Sequence, residues 1–299
     1  MQNYHLSLFF ALGSTITFAT SSLVFAEFSR RISALWMNCF KCIVAFAFLA
    51  LTIPITTGWT PASFESLTGL VLSGFIGLNL GDLFLLNAFA KLGAARTLMV
   101  FGFQPLFLGF AAHLVFGQKF NPHSLLAVFF LIACLTTFAL ERFRQERVWG
   151  VNGLIYALIG VSLDASGVLL SRAAFEHSPQ LPPLEGNFYR CFGALLGFAL
   201  IARFQPIRLI EGYKQLSTIR TRALVIAASF GGTYLALLLY LSAVKIGHLA
   251  SIASIGITGP IFAAALECLI YRRAPSRYLI TAFIFFAAGF YILITSSAT

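Results

Sequence analysis

The feature that most constrains this chain is a succession of apolar runs, each about long enough to cross a lipid bilayer. A helix rises about 1.5 Å per residue and the hydrocarbon core is about 30 Å thick, so about 20 apolar residues span it. Ten runs of this kind are read at 6–26, 34–54, 67–90, 94–116, 124–140, 150–171, 186–203, 223–244, 248–271 and 277–295. The short connections between them favour antiparallel neighbours. Composition agrees: the 299 residues are 59% hydrophobic and only 10% charged, where a soluble domain carries about 25% charged residues. Mean hydropathy is +0.88. The expected fold class is an all-α membrane protein of ten transmembrane helices, with no polar stretch long enough for a soluble domain. The run 6–26 lacks a basic leading segment and reads as the first transmembrane helix, not a signal peptide.

The chain repeats itself. Asn38-Cys39-Phe40-Lys41-Cys42 recurs as Asn187-Phe188-Tyr189-Arg190-Cys191, each inside an apolar run. A charge at the centre of such a run costs about 2.5–3.5 kcal/mol on insertion scales, so its recurrence in one local setting argues for duplication and for a task. Three further matches follow in the same order. Ala11-Leu12 with Ala19 and Leu23 pairs with Ala157-Leu158, Ala165 and Leu169; Lys91-Leu92-Gly93 pairs with Lys245-Ile246-Gly247; Gly102 and Pro105 pair with Gly256 and Pro260. The expected repeats are residues 1–145 and 146–299. Each holds five spans, an odd number, so the second enters the membrane inverted relative to the first, the mark of an inverted-repeat transporter.

The net charge of +10 raises nucleic-acid binding, but the basic residues sit in short loops and no motif of that repertoire is present. The positive-inside rule accounts for them instead. The odd-numbered loops hold Arg30, Arg31, Arg142, Arg144, Arg203, Arg208, Arg272 and Arg273 among others, while the even side holds Lys119, Arg172 and Lys245. That places the odd loops in the cytoplasm and both termini outside a cell inner (plasma) membrane. Residues 205–222 put Leu209, Tyr213 and Leu216 on one helical face among basic residues, as a short interfacial helix would.

Four ionisable residues fall well inside spans: Lys41, Asp82, Asp164 and Arg190. The topology sets one acid and one base toward each end of a pathway, and suggests a Lys41–Asp82 pair and an Arg190–Asp164 pair, one per gate. Either aspartate is a candidate proton carrier. Asn38 and Asn187, one turn before the two bases, join the candidate pathway. Pro105 and Pro260 lie at the centres of spans four and nine, where a proline removes a backbone hydrogen bond and kinks the helix. Paired interruptions in two halves point to a central binding site, which Gln104 and Thr258 are placed to face. His113 and Glu267 are candidates for the pathway ends. Gly74, Gly77 and Gly81, with Gly193 and Gly197, are spaced to let membrane helices approach closely.

Soluble-enzyme motifs are absent, and so are a P-loop and a metal-ligand cluster. Cys39 and Cys42 form a C-x-x-C, but with no second pair or His ligand they read as helix-packing residues. The expectation is no enzyme, no cofactor, no metal and no catalytic residue.

Two stretches carry a family resemblance: residues 81–109, with Ala90-Lys91-Leu92-Gly93-Ala94 followed by Pro105, and residues 240–267, with Ala243-Val244-Lys245-Ile246-Gly247 followed by Pro260. In each, a helix ends in Ala-x-(x)-Lys-x-Gly and the next carries a central proline. This resembles the drug/metabolite transporter superfamily, specifically its EamA-type ten-helix members. The resemblance implies secondary transport, often export of amino acids or other small metabolites, by alternating access around a central cavity. The chain departs from the family pattern at Gly117-Gln118-Lys119, where Gly-Glu-Arg is common, and in residues 55–66, which hold no Lys or Arg. Expected partners are a small-molecule substrate, the lipid bilayer, and protons or a counter-substrate, with no nucleic acid, in a monomer or weak dimer. Export of a hydrophobic drug is the alternative within the class; an intramembrane lipid-active enzyme and a non-transporting scaffold are the alternatives outside it.

Overall fold

The structure, a computed structural model, describes residues 2–104, 107, 123–146, 151–246, 255, 258–272 and 274–297. Every regular element among the described residues is helical: α1 (Gln2–Arg31), α2 (Ala34–Thr56), α3 (Phe64–Leu92), α4 (Ala94–Phe101), α5 (His123–Glu146), α6 (Val151–His177), α7 (Pro183–Ala202), α8 (Leu209–Lys214), α9 (Ile219–Ile246), α10 (Thr258–Tyr271) and α11 (Arg277–Ser297). Five of them, α1 from Leu6 onward, α2, α3, α6 and α9, are long and apolar enough to cross a membrane. Large apolar side chains such as Phe9, Leu51, Leu200 and Ile284 remain exposed on the outside. A surface this apolar suits lipid tails, and the chain is a multi-pass membrane protein. The expected spans 94–116 and 248–271 lie partly outside the described residues.

Local chemistry sets the helix ends. Ser33 opens α2 by accepting a hydrogen bond from Trp36 N at 3.0 Å, and Ser63 opens α3 in the same way from Ser66 N. Thr218 and Thr221 form a capping box at the start of α9. Gly93, at φ +87°, makes the break between α3 and α4, a conformation other residues rarely adopt.

Two helices widen partway along. Gly74–Gly81 in α3 and Phe230–Leu235 in α9 are π-helical. Each segment ends ten residues before a matched lysine, Lys91 or Lys245, so the duplication extends to a backbone irregularity. A π turn misaligns carbonyls. In α3 the side chain of Asn38 answers two of them, donating from Nδ2 to Leu78 O at 3.0 Å and to Asn79 O at 2.9 Å.

The packing is reciprocal between the halves. α3 packs on α6 and α7 of the second half, and α9 packs on α1 and α2 of the first. α2 meets α7, α4 meets α10 and α5 meets α11. The expected glycine approach lies at the first of these contacts. A Cβ on Gly74 would overlap the Arg190 carbonyl, and one on Gly193 would overlap the Val71 carbonyl, so α3 and α7 touch backbone to backbone. Gly167 of α6 closes the third side, its Cβ position 3.0 Å from Ser73 O. Cys39, Cys42 and Cys191 are buried, unpaired and share one apolar cluster with Leu49 and Phe198.

The segment 205–222 contains a short helix, as expected, and part of it packs on the protein. Only Leu209–Lys214 forms a separate helix, and its apolar face turns onto the protein. Trp36 Nε1 donates to Leu209 O at 3.0 Å. The Trp36, Phe40 and Tyr213 rings stack in series at 4.9 and 6.0 Å, with Arg222 5.2 Å above Tyr213.

Candidate functional site

Where the two halves meet there is a cavity of about 190 Å³. α1 brings Ser14 and Phe18, α2 Lys41, α3 Asp82, α6 Asp164, α7 Arg190, α9 Thr233 and Tyr240, and α10 Pro260, while Gln104 enters from just beyond α4. All four intramembrane charges therefore line one cavity.

The first pair is present. The Lys41 ammonium contacts Asp82 Oδ2, with side chains 2% and 9% exposed, and lies 5.6 Å from the centroid of the Phe25 ring. Burial makes each charge costly alone, and each offsets the other. The second pair is not. Arg190 donates from Nε to Ser73 Oγ at 3.0 Å, and Ser73 is itself fixed by donating to Gly167 O at 2.6 Å. Asp164 Oδ2 accepts from Gln104 Nε2 at 2.6 Å. Arg190 and Asp164 form no ion pair with each other; each is hydrogen-bonded to a neutral partner instead. A Cβ placed on Gly77 would stand 3.7 Å from both Arg190 Nη2 and Asp164 Oδ1.

The other expected residues divide. Asn38 and Asn187 are buried but do not line the cavity. Asn38 serves the π segment, and neither amide atom of Asn187 has a partner among the described residues. Thr258 donates to Ile255 O at 2.7 Å at the start of α10, while its neighbours Gly259 and Pro260 reach the cavity. Pro260 lies in α10, whose described residues begin at Thr258. Pro105 and His113 lie outside the described residues. Sequence reasoning missed Ser73, Tyr240 and Ser14; each is a single polar residue in an apolar run with no spacing signal of its own.

Both ends of the bundle are tied across the halves. At one end Glu267 of α10 accepts from Ala94 N at 2.8 Å and Ala95 N at 3.1 Å, capping α4. Beside it, Glu141 of α5 joins Arg96 at 2.8 Å and Ser276 at 2.5 Å. These groups border a second, polar cavity of about 520 Å³ that also holds Glu27 and Arg30. At the opposite end of α3, buried Glu185 of α7 accepts from Thr60 N at 3.1 Å and Thr60 Oγ1 at 2.7 Å.

These features define a class: a polytopic helical membrane protein made of two matched halves around an internal, partly charged cavity. Its family follows from comparison. The model of the EamA-like transporter family matches residues 5–139 and again residues 151–295, and the chain belongs to that family, whose members are transporters. A solved crystal structure is similar over 97% of this chain and 96% of its own, with a TM-score of 0.65 at 14% identity, which speaks to the fold alone. No curated protein matches the sequence.

Proposed function

We propose that this protein is a ten-helix secondary active transporter, an exporter of small metabolites such as amino acids, working by alternating access around the central cavity. The observation that carries the reading is the cavity itself, lined by helices of both halves in a bundle that is tied across the halves at both ends. In the cycle, one end opens by releasing Glu267 from the N-terminus of α4 while Glu185 keeps Thr60; the other end opens by the reverse exchange. The small-residue contacts of α3 with α6 and α7 allow the halves to rock without side chains in the way. With no ATP-binding loop, the driving force is a proton gradient or exchange. Asp82 and Asp164 are the carboxylates that face the pathway, and the loop charges favour a plasma-membrane protein with both termini outside. The test is flux of a metabolite panel into liposomes containing the purified protein, with and without a pH gradient. No flux for any compound would favour a scaffold.

A second reading, export of an apolar drug, draws on the cavity walls Phe18, Leu85, Leu98, Phe101 and Leu237. It expects flux that is indifferent to the charge at Arg190.

A further inference from the structure

The strap that joins α7 to α9, residues 203–222, has one covered side and one bare side. The covered side is fixed on α2: Leu209 O accepts from Trp36, the Tyr213 ring stacks on Phe40, and Gly212 lies so close to the Trp36 indole that a Cβ there would overlap it. The rest of the strap exposes three large apolar residues, Phe204 at 86%, Ile210 at 72% and Ile219 at 77%, among five basic residues and one acid. We propose that this bare side is a docking surface for anionic phospholipid: Arg203, Lys214 and Arg220 bind the headgroups while Phe204, Ile210 and Ile219 enter the acyl boundary. The surface is separate from the central cavity, and its occupancy is read without reference to transport.

The five cations divide by what they touch. Arg222 is turned inward: its Nε donates to Leu216 O at 3.0 Å and its guanidinium lies over the Tyr213 ring. Arg208 meets Glu211, the one acid of the strap, at 3.1 Å. Arg203, Lys214 and Arg220 are exposed and make no side-chain hydrogen bond or ion pair among the described residues. Three cations are thus left over, and the strap holds no second acid to answer them.

Position selects the occupant. The strap leaves α7 at Ala202 and enters α9 at Ile219, and α9 is long and apolar enough to cross a membrane, so the strap stands at the edge of the apolar layer. Large apolar groups beside free cations suit that edge: the apolar groups reach the acyl boundary while the cations stay with the headgroups. A phosphate offers the oxygens that a guanidinium or ammonium takes up, and a Lys or Arg near an anionic leaflet gains attraction that a zwitterionic leaflet does not supply. A soluble acidic protein would answer the charges from the water side and leave the three apolar residues unmatched. Because the Trp36 contact already holds the strap in place, binding has little chain to order.

The test is tryptophan fluorescence of the full chain carrying Ile210→Trp, in vesicles of phosphatidylcholine and phosphatidylglycerol in equal parts. The signal is the difference from the parent protein, whose own three tryptophans give the background. In paired samples one lipid or the other carries bromine, which quenches an indole beside it. Brominated phosphatidylglycerol is expected to quench the introduced indole as if enriched about fivefold or more over phosphatidylcholine, the scale of one Lys or Arg at an anionic surface. Salt at about 1 M is expected to shrink the preference. Arg203→Gln, Lys214→Gln and Arg220→Gln combined are expected to bring the two lipids to equal quenching at an unchanged unfolding temperature, since these side chains hold nothing in the fold. Arg172→Gln, near the connection of α6 to α7, is expected to leave the preference intact. Equal quenching by the two lipids before any charge is removed overturns the proposal, as does a preference that survives the triple change. Quenching by neither lipid also overturns it, and leaves the surface to a soluble partner.

Discussion

Inside the bundle the ammonium of Lys41 rests on the carboxylate of Asp82, at the point where α2 meets the helical stretch that follows the first π segment. Among the described residues neither group makes a second ion pair. Removing one member leaves the other buried and uncompensated, which costs about 3–5 kcal/mol. Asp82→Asn is therefore expected to lower stability in detergent markedly while still inserting into the membrane. Lys41→Met combined with Asp82→Leu is expected to recover most of that stability without recovering transport. Unfolding curves of the single and double variants check this through their coupling.

The contact of α3 with α7 has no room for a methyl group at two points. Gly74→Ala and Gly193→Ala each push a Cβ into a facing backbone carbonyl, and overpacking of this kind costs about 1–3 kcal/mol or more. Both variants are expected to unfold at lower denaturant than the parent protein, and Gly77→Ala is not.

The two repeat-related asparagines are expected to behave differently. Asn38 donates to two carbonyls of the π segment, so Asn38→Leu strands them and costs about 1–3 kcal/mol. Asn187 makes no side-chain hydrogen bond among the described residues, so Asn187→Leu is expected to be neutral or mildly stabilising. Parallel unfolding curves of the two variants decide it.

Trp36 holds the segment 205–222 by a hydrogen bond and a ring stack. Trp36→Ala is expected to free the segment, and trypsin is expected to cut faster after Arg208, Lys214 or Arg220. Timed digestion in detergent, read by mass, checks it.

Sequence periodicity made the apolar helices legible because lipid permits little else. The duplication was legible too, since Lys41 and Arg190 recur in one setting at high cost. The Lys41–Asp82 contact followed from depth alone. Depth failed for Arg190 and Asp164, because it says nothing of Ser73 and Gln104, which intercept the two charges first. The π segments were hidden as well: glycine spacing in α3 reported close packing but not the extra residue per turn. For 205–222 the apolar face was read correctly, but its partner, Trp36, is 173 residues from Leu209 along the chain. Glu185, which ties Thr60 from a distance of 125 residues, carried no local signal.

The central claim is that the cavity between the halves is a transport pathway worked by its own carboxylates. Its most direct test is flux of a radiolabelled amino-acid and metabolite panel in liposomes, comparing the parent protein with Asp82→Asn and Asp164→Asn at matched insertion. The expected result is saturable flux of at least one compound, abolished in both variants. No flux of any compound, or near-normal flux in both variants, would contradict the account.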